Sequence, residues 1–187
     1  MLSGVVIAGG KSSRMGKDKA LLPFMGYSSL SKFQYKKLEE IFDRVYISAK
    51  SNKFDFNANI IYDKFKESNP LNPIISALEA TKGDIFLISV DMPFIKKESI
   101  KRLVKIYNLY PQYDIYISKS QNGIEPTFAI YKHSVLDIAK NMYSKDDFRL
   151  KNLINKANSY IVEFNCLDEF INLNTPIEYK KALNLHI

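Results

Sequence analysis

Two runs in this chain, Leu2 to Ala8 and Ile85 to Val90, are apolar nearly throughout, and each ends abruptly, the first at Gly9-Gly10 and the second at Asp91. A strand with one face in water alternates apolar and polar residues; a strand covered on both faces has no need to. The two runs therefore predict a mostly parallel sheet with helices on both sides. The rest of the chain keeps the same rhythm of short strand-like runs and helix-periodic segments. Leu30, Phe33, Leu38, Ile41 and Phe42 recur at helical spacing within Ser29 to Phe42. Arg44 to Ala49 and Asn59 to Tyr62 read as the second and third strands. A helix over Pro73 to Thr81 is expected to be entered through Pro73, since proline suits a first turn. Further helices are predicted over Lys96 to Tyr107, Ser134 to Met142 and Phe148 to Ala157, and from Thr175-Pro176 to Leu185. Asp114 to Ser118, Thr127 to Tyr131 and Tyr160 to Phe164 read as strands. The connection Lys119 to Pro126 is short for a parallel crossover, so one of the strands it joins is expected to run antiparallel. With no repeat, low-complexity linker or composition break, residues 1–187 are expected to form one α/β domain, with 52–59 and 64–72 as its mobile loops.

The segment after the first strand reads V-I-A-G-G-K-S-S-R-M-G-K-D-K-A-L-L-P from Val6 to Pro23. Glycine lets a backbone turn sharply and approach a ligand with no Cβ in the way. Successive free N–H groups in such a loop make a concavity suited to phosphate oxygens. Arg14, Lys17 and Lys19 add positive charge where a polyphosphate would need it. Two familiar phosphate loops are excluded by spacing. Gly16-Lys17 is followed by Asp18, where a P-loop requires Ser or Thr. Gly9 and Gly10 are adjacent, which breaks the dinucleotide fingerprint. A glycine turn that binds nothing is the alternative, but such a turn has no need of Arg, Lys and Asp at these offsets.

Bulk properties narrow the class. At 187 residues the chain can bury a good core without disulfides. One cysteine, Cys166, cannot form an internal disulfide, which fits a reducing, cytoplasmic compartment. That thiol is read as a small buried filler. His133 and His186 are the only histidines and offer no zinc spacing. The net charge of +7 points to an anionic partner. Its lysines are scattered rather than gathered into a basic helix or tail, so a small polyphosphate is preferred over nucleic acid. The apolar start stops at Ala8, too short to span a membrane, and lacks the basic region of a signal peptide.

In an open parallel sheet, ligands bind at the carboxyl ends of the strands. That rule groups the Gly9-Gly10 loop, Ser48 and Lys50, Asp63, and Asp91 along one edge. Asp91, at the end of an apolar strand and followed by Met92-Pro93, is the candidate ligand for Mg²⁺, a hard cation that prefers oxygen. It could equally cap the turn that follows. Asp63 closing a short strand could be a turn residue. Near the C-terminus, Asn172 and Asn174 alternate with Leu173, so both amides face one side of an extended segment and could serve a phosphate or metal shell. Asn174 could instead simply precede the Thr175 cap. Arg149 could contact substrate or lie on a solvated helix surface. Asp146-Asp147 reads as an acidic pair at a helix start rather than a metal site.

These motifs resemble the nucleotidyltransferases that act on the molybdenum cofactor, the MobA-type family. Their signature A-G-G-x-S-x-R-M-G-x-D-K is matched at every fixed position by Ala8, Gly9, Gly10, Ser12, Arg14, Met15, Gly16, Asp18 and Lys19. Ser89-Val90-Asp91-Met92-Pro93 matches the family's x-x-D-x-P, and Asn172-Leu173-Asn174-Thr175-Pro176 its N-x-N-T-P. The chain departs from the pattern at Asn69-Pro70-Leu71-Asn72-Pro73, where relatives commonly read G-P-L-A-G near the nucleotide base. It departs again at Ser48 and Lys50, where relatives often carry asparagine near the ribose. Glu125-Pro126-Thr127 resembles a stretch on the pterin side. The resemblance runs from Leu2 to Leu183 and implies a three-layer, Rossmann-like nucleotidyltransferase fold. It implies transfer of GMP from GTP to the terminal phosphate of molybdopterin, with Mg²⁺ as cofactor and release of pyrophosphate. It also implies a nucleotide set of Ile7, Ala8, Gly9, Gly10, Ser12, Gly16, Lys19, Asp63 and Asp91, with Lys19, Arg14 and Asp91 catalytic and Asn172, Asn174 and Arg149 on the pterin side. Other cofactor-biosynthesis proteins and acceptor molybdoenzymes are the implied partners. A CTP-dependent or sugar-phosphate transferase is the enzymatic alternative, and a non-catalytic cofactor carrier the alternative of another class.

Overall fold

A computed structural model describes residues 1–9, 16–65, 67–166 and 168–184. Among these, the strands are β1 (Leu2–Ile7), β2 (Val45–Ala49), β3 (Ile60–Tyr62), β4 (Asp84–Ser89), β5 (Ile115–Ser120), β6 (Gly123–Tyr131) and β7 (Ser159–Glu163). The helices are α1 (Leu30–Glu39), α2 (Leu71–Thr81), α3 (Lys97–Leu109), α4 (Val135–Tyr143), α5 (Leu150–Lys156) and α6 (Pro176–Leu183). One sheet holds the strands in the order β3-β2-β1-β4-β6-β5-β7. β3, β2, β1 and β4 are mutually parallel, as are β5 and β7, while β6 runs antiparallel to both of its neighbours. The reversed strand expected from the short β5–β6 connection is thus β6. Most of Lys119 to Pro126 is ladder rather than loop, since Ser118 pairs with Glu125 and Ser120 with Gly123.

The apolar runs behave as their composition requires. Val6 of β1 and Ala8 just beyond it enter a core shared with Leu38, Phe42, Leu103 and Ala182, on the side of α1, α3 and α6. Val5 and Ile7 enter the opposite core with Ile74, Leu78, Ala139 and Leu153, on the side of α2, α4 and α5. Phe86 and Ile88 of β4 join the first core, Ile85 and Leu87 the second. The sheet is therefore buried on both faces, and the fold is a three-layer α/β sandwich.

Local signals set most boundaries. Ser29 caps α1 through its hydroxyl, which accepts from the Lys32 N–H at 3.2 Å. Thr175 and Glu178 form a capping box on α6, with Pro176 at the first helical position. Helix α2 starts at Leu71, two residues before Pro73, because the Asn69 side chain accepts from the N–H groups of Leu71 and Asn72 at 3.1 and 3.0 Å. Pro73 still lies in the first turn, where its missing N–H would have had no helical partner. Helix α5 begins at Leu150 rather than Phe148, and Asp147 holds its first turn by accepting from Asn152 Nδ2 at 2.9 Å. Cys166 is exposed, not a buried filler: it lies on the irregular segment beyond β7 rather than on an inward-facing element. No helix among the described residues is long and apolar enough to cross a membrane.

Candidate active site

After β1 the chain steps outward to β2 and β3, then returns through α2 to β4 on the other side of β1. This reversal of strand order opens a crevice at the carboxyl ends of β1 and β4. Backbone hydrogen bonds hold these ends together: Val90 N–H donates to Ile7 O (3.0 Å), Ala8 N–H to Ser48 O (3.0 Å) and Asp63 N–H to Ala49 O (3.1 Å). Ile7, Ala8, Gly9, Ser48, Asp63 and Asp91 therefore share one edge, as expected. A Cβ at Gly9 would come within 3.2 Å of Asp63 Oδ2, so the bare backbone passes close to that carboxylate. Ser48 Oγ donates to Asp63 Oδ1 at 3.0 Å. Gly16, with φ +64°, takes the left-handed backbone that glycine adopts at least cost. Gly10, Ser12 and Arg14 lie outside the described residues.

On this edge Lys19 meets Asp91 and Asn174. Lys19 opens a short 3₁₀ turn, Lys19–Leu21, whose N-cap Asp18 accepts from the Ala20 N–H through Oδ1 at 3.1 Å. The ammonium ion-pairs with Asp91 Oδ2 and donates to Asn174 Oδ1 at 3.3 Å. The Lys19 and Asp91 side chains are only 18% and 16% exposed, so the pair is largely shielded from water. Asp91 also fixes the C-terminal segment, its carbonyl accepting from the Leu173 N–H at 2.9 Å. Asn174 is held by the α6 cap, because Glu178 Oε2 accepts from the N–H groups of Asn174 and Thr175, each at 2.8 Å. Those hydrogen bonds, led by the one from Asn174, draw the Glu178 carboxyl below its ordinary value. Asn172 is half-buried two residues earlier. Among the described residues no cluster of three or more metal-ligating side chains occurs, and Asp91 faces a cation, the Lys19 ammonium.

The bracing of this pair was missed by sequence reasoning. Ser31, Gln34 and Lys37 form a buried polar row on α1. Ser31 Oγ donates to Ala20 O at 2.8 Å and so holds the Lys19 turn. Gln34 Nε2 donates to Ser89 O (3.2 Å) and Met92 O (2.9 Å), and Lys37 Nζ to Pro93 O (2.6 Å) and Ile95 O (2.9 Å). One helix face thus holds both the lysine turn and the aspartate loop. Burial, with Lys97 nearby adding to it, pushes the Lys37 ammonium down to about 7, and Glu169 only partly offsets the shift. The legible signal was polar residues at a spacing of three on the inward side of an amphipathic helix.

Beside the pair, a cavity of about 400 Å³ opens, lined among others by Ile7, Gly9, Asp63, Asn69, Ser89 and Leu150. The loop over it carries asparagines that do structural work. Asn72 Oδ1 accepts from the Phe65 N–H (3.3 Å) and Ser76 Oγ (3.1 Å), and its Nδ2 donates to Phe65 O (2.7 Å) and Glu67 O (3.3 Å). The buried Nδ2 of Asn69 has no hydrogen-bond acceptor among the described residues. Lys50 and Thr127 also line this cavity, and Glu125 accepts from Ser120 Oγ at 2.6 Å. Arg149 is not brought to the Lys19 centre. Its side chain is 78% exposed and its Nε donates to Asp147 Oδ1 at 3.2 Å, although the next residue, Leu150, reaches the cavity wall.

The chain is similar to known proteins in sequence and in fold. A family model described as the MobA-like NTP transferase domain matches residues 4–160. A molybdenum cofactor guanylyltransferase from Campylobacter jejuni subsp. doylei is 34% identical over 183 residues, covering 96% of this chain and 94% of its own. One from Helicobacter pylori strain G27 is 33% identical over 190 residues, covering 97% and 91%. Among solved structures, molybdopterin-guanine dinucleotide biosynthesis protein A from Archaeoglobus fulgidus superposes with a TM-score of 0.83 over 98% of this chain and 97% of its own, at 22% identity.

Proposed function

The chain belongs to the MobA-like NTP transferase family, and from that membership we propose that it transfers GMP from GTP to the terminal phosphate of molybdopterin, releasing pyrophosphate. The observation that carries this reading is the meeting of Lys19, Asp91 and Asn174 beside the Gly9 loop, at the crevice between β1 and β4. The choice of GTP over CTP is supported by the names of the relatives and by the Asp18-Lys19 pair.

The reaction needs no covalent nucleophile. An oxygen of the acceptor phosphate attacks the α-phosphorus in line, the bond to the bridging oxygen of the β-phosphate breaks, and pyrophosphate leaves with the electron pair. The protein's task is position and charge. The loop from Gly9 to Gly16, with Gly10 and Ser12, would grip the triphosphate through its backbone N–H groups, and Ile7 and Ala8 lead into it. Lys19 and Arg14 stabilise the charge that develops on it. The guanosine part enters the cavity walled by Asp63 and Asn69. Asn174, with Asn172 and Arg149, serves the pterin side.

Mg²⁺ usually binds through one or two carboxylates, with water and substrate phosphates completing its shell. A largely shielded carboxylate at the crevice fits that demand, and Asp91 would hold the ion. When bound, the ion offsets negative charge on the phosphates. We place the whole chain in one domain working in the cytoplasm, with other cofactor-biosynthesis proteins and molybdoenzymes as downstream partners.

The test is a nucleotide screen. Purified protein is incubated with molybdopterin, Mg²⁺ and each NTP, and pyrophosphate release is followed. Release with GTP alone is the expected result. Release with CTP in place of GTP overturns the guanine assignment, and release with none overturns the transferase reading.

A further inference from the structure

We propose that Lys53 is a positioning residue for the nucleotide site, pinning the entry and exit of the glycine loop together and thereby setting the turn that presents Lys19. The inference deepens the nucleotidyltransferase reading and rests on it. Lys53 comes from the irregular stretch between β2 and β3, a segment read from sequence as a mobile loop and absent from every motif matched above. In the structure its Nζ donates to Ala8 O at 3.2 Å and ion-pairs with Asp18 Oδ2. Ala8 stands immediately before the glycines, and Asp18 immediately before Lys19. One ammonium therefore joins two points of the chain ten residues apart on either side of the loop.

The two oxygens of Asp18 divide the work. Oδ1 accepts from the Ala20 N–H at 3.1 Å and caps the 3₁₀ turn that carries Lys19, while Oδ2 receives Lys53. A carboxylate beside a polyphosphate site is a liability unless it is held. Released, Asp18 repels the phosphates and competes with Asp91 for the neighbouring Lys19 ammonium. Lys53 keeps it in the capping position. The segment bearing Lys53 is itself tied down: Ser28 Oγ donates to Asp55 Oδ1 at 3.0 Å, the Ile47 N–H to Asn59 O at 2.9 Å, and Asn59 Nδ2 to Val45 O at 3.1 Å. The line of connection runs from β2, through Lys53 and Asp18, to Lys19, Asp91 and Asn174.

A pin and a through-space charge make different predictions. If Lys53 merely attracts phosphates, its loss costs the same whatever stands at position 18. If it acts through Asp18, the two substitutions interact, as residues of one hydrogen-bonded network do. The experiment measures GTP affinity by calorimetry, with Mg²⁺ and no acceptor, for wild type, Lys53→Met, Asp18→Asn and the double variant, with Lys53→Arg as a conservative control. Asparagine keeps the Oδ1 cap but offers no carboxylate to the ammonium. We expect Lys53→Met to weaken GTP about tenfold beside Asp18 and about threefold or less beside Asn, a coupling of ordinary size for neighbours. Lys53→Arg stays within about threefold of wild type, because guanidinium can reach both acceptors. Thermal unfolding of the set stays together, since a partly exposed pair contributes little to stability. Equal losses in both backgrounds, or no loss in Lys53→Met, overturn the proposal while the transferase reading stands. Failure of the wild type to bind GTP overturns both.

Discussion

The cavity loop and the Lys19–Asp91 centre share one sheet edge but are held by different kinds of contact. Over the cavity, Asn69, Asn72 and Ser76 bond to backbone no more than twelve residues away, so the loop is shaped by its own neighbourhood. The Lys19 centre draws on partners 72 and 155 residues distant and is braced from beneath by a helix belonging to neither. A locally folded loop depends little on the rest of the sheet. A centre assembled at long range depends on the whole sheet. Damage to the loop should therefore appear in nucleotide binding and selectivity alone, and damage to the centre in turnover as well.

The largest effect expected is at the centre. Lys19→Ala should lower kcat on the order of 10²- to 10³-fold, as loss of a preorganised stabiliser does. A loss seen mainly in KM would erase the contrast between the two regions. Asn72→Ala sharpens the contrast from the other side. Removing a buried side chain with four hydrogen bonds should cost roughly 1 to 3 kcal/mol by urea unfolding, and raise the KM for GTP with kcat little altered.

Lys37 tests the brace by pH. Its folded-state pKa is lowered from 10.5 to about 7, chiefly by burial. Between those values the unfolded chain holds a proton that the folded chain has released, so this group makes stability rise with pH from about 7 toward 10.5. Below that window the cost of burying the charge is fully present. In paired urea titrations at pH 7 and 9, the wild type should gain stability relative to Lys37→Met by about 1 kcal/mol per pH unit. Parallel behaviour of the two proteins would mean that the ammonium is not buried as the structure has it. The smallest expected effect is that of Thr175→Ala, which removes the hydroxyl half of the α6 cap at about 1 kcal/mol. Asn174 remains tied to Glu178, so turnover should fall by no more than about threefold.

Much of this molecule can be read before it is folded. The apolar runs of β1 and β4 announce a sheet covered on both faces, because a buried strand gains nothing from alternation. The ends of these runs fix which residues can lie at the carboxyl edge, and Ser29 and Thr175-Pro176 mark helix starts through short-range chemistry. Where the reading slipped, a contact across the chain or an unnoticed cap was responsible. Asn69 moved the start of α2, β-pairing absorbed most of Lys119 to Pro126, and an irregular segment left Cys166 in water.

From the amino-acid order alone came the layered α/β architecture, the glycine loop and the chemical types gathered at its mouth, since those depend on periodicity and on residues close in the chain. Only the folded state decided that Lys19 pairs with Asp91 and Asn174, that Ser31, Gln34 and Lys37 brace them, and that Lys53 reaches across to Asp18. Each of those contacts joins segments whose separation in sequence carries no signal of their meeting in space. The reversal of strand order at β1 and β4 brings them together.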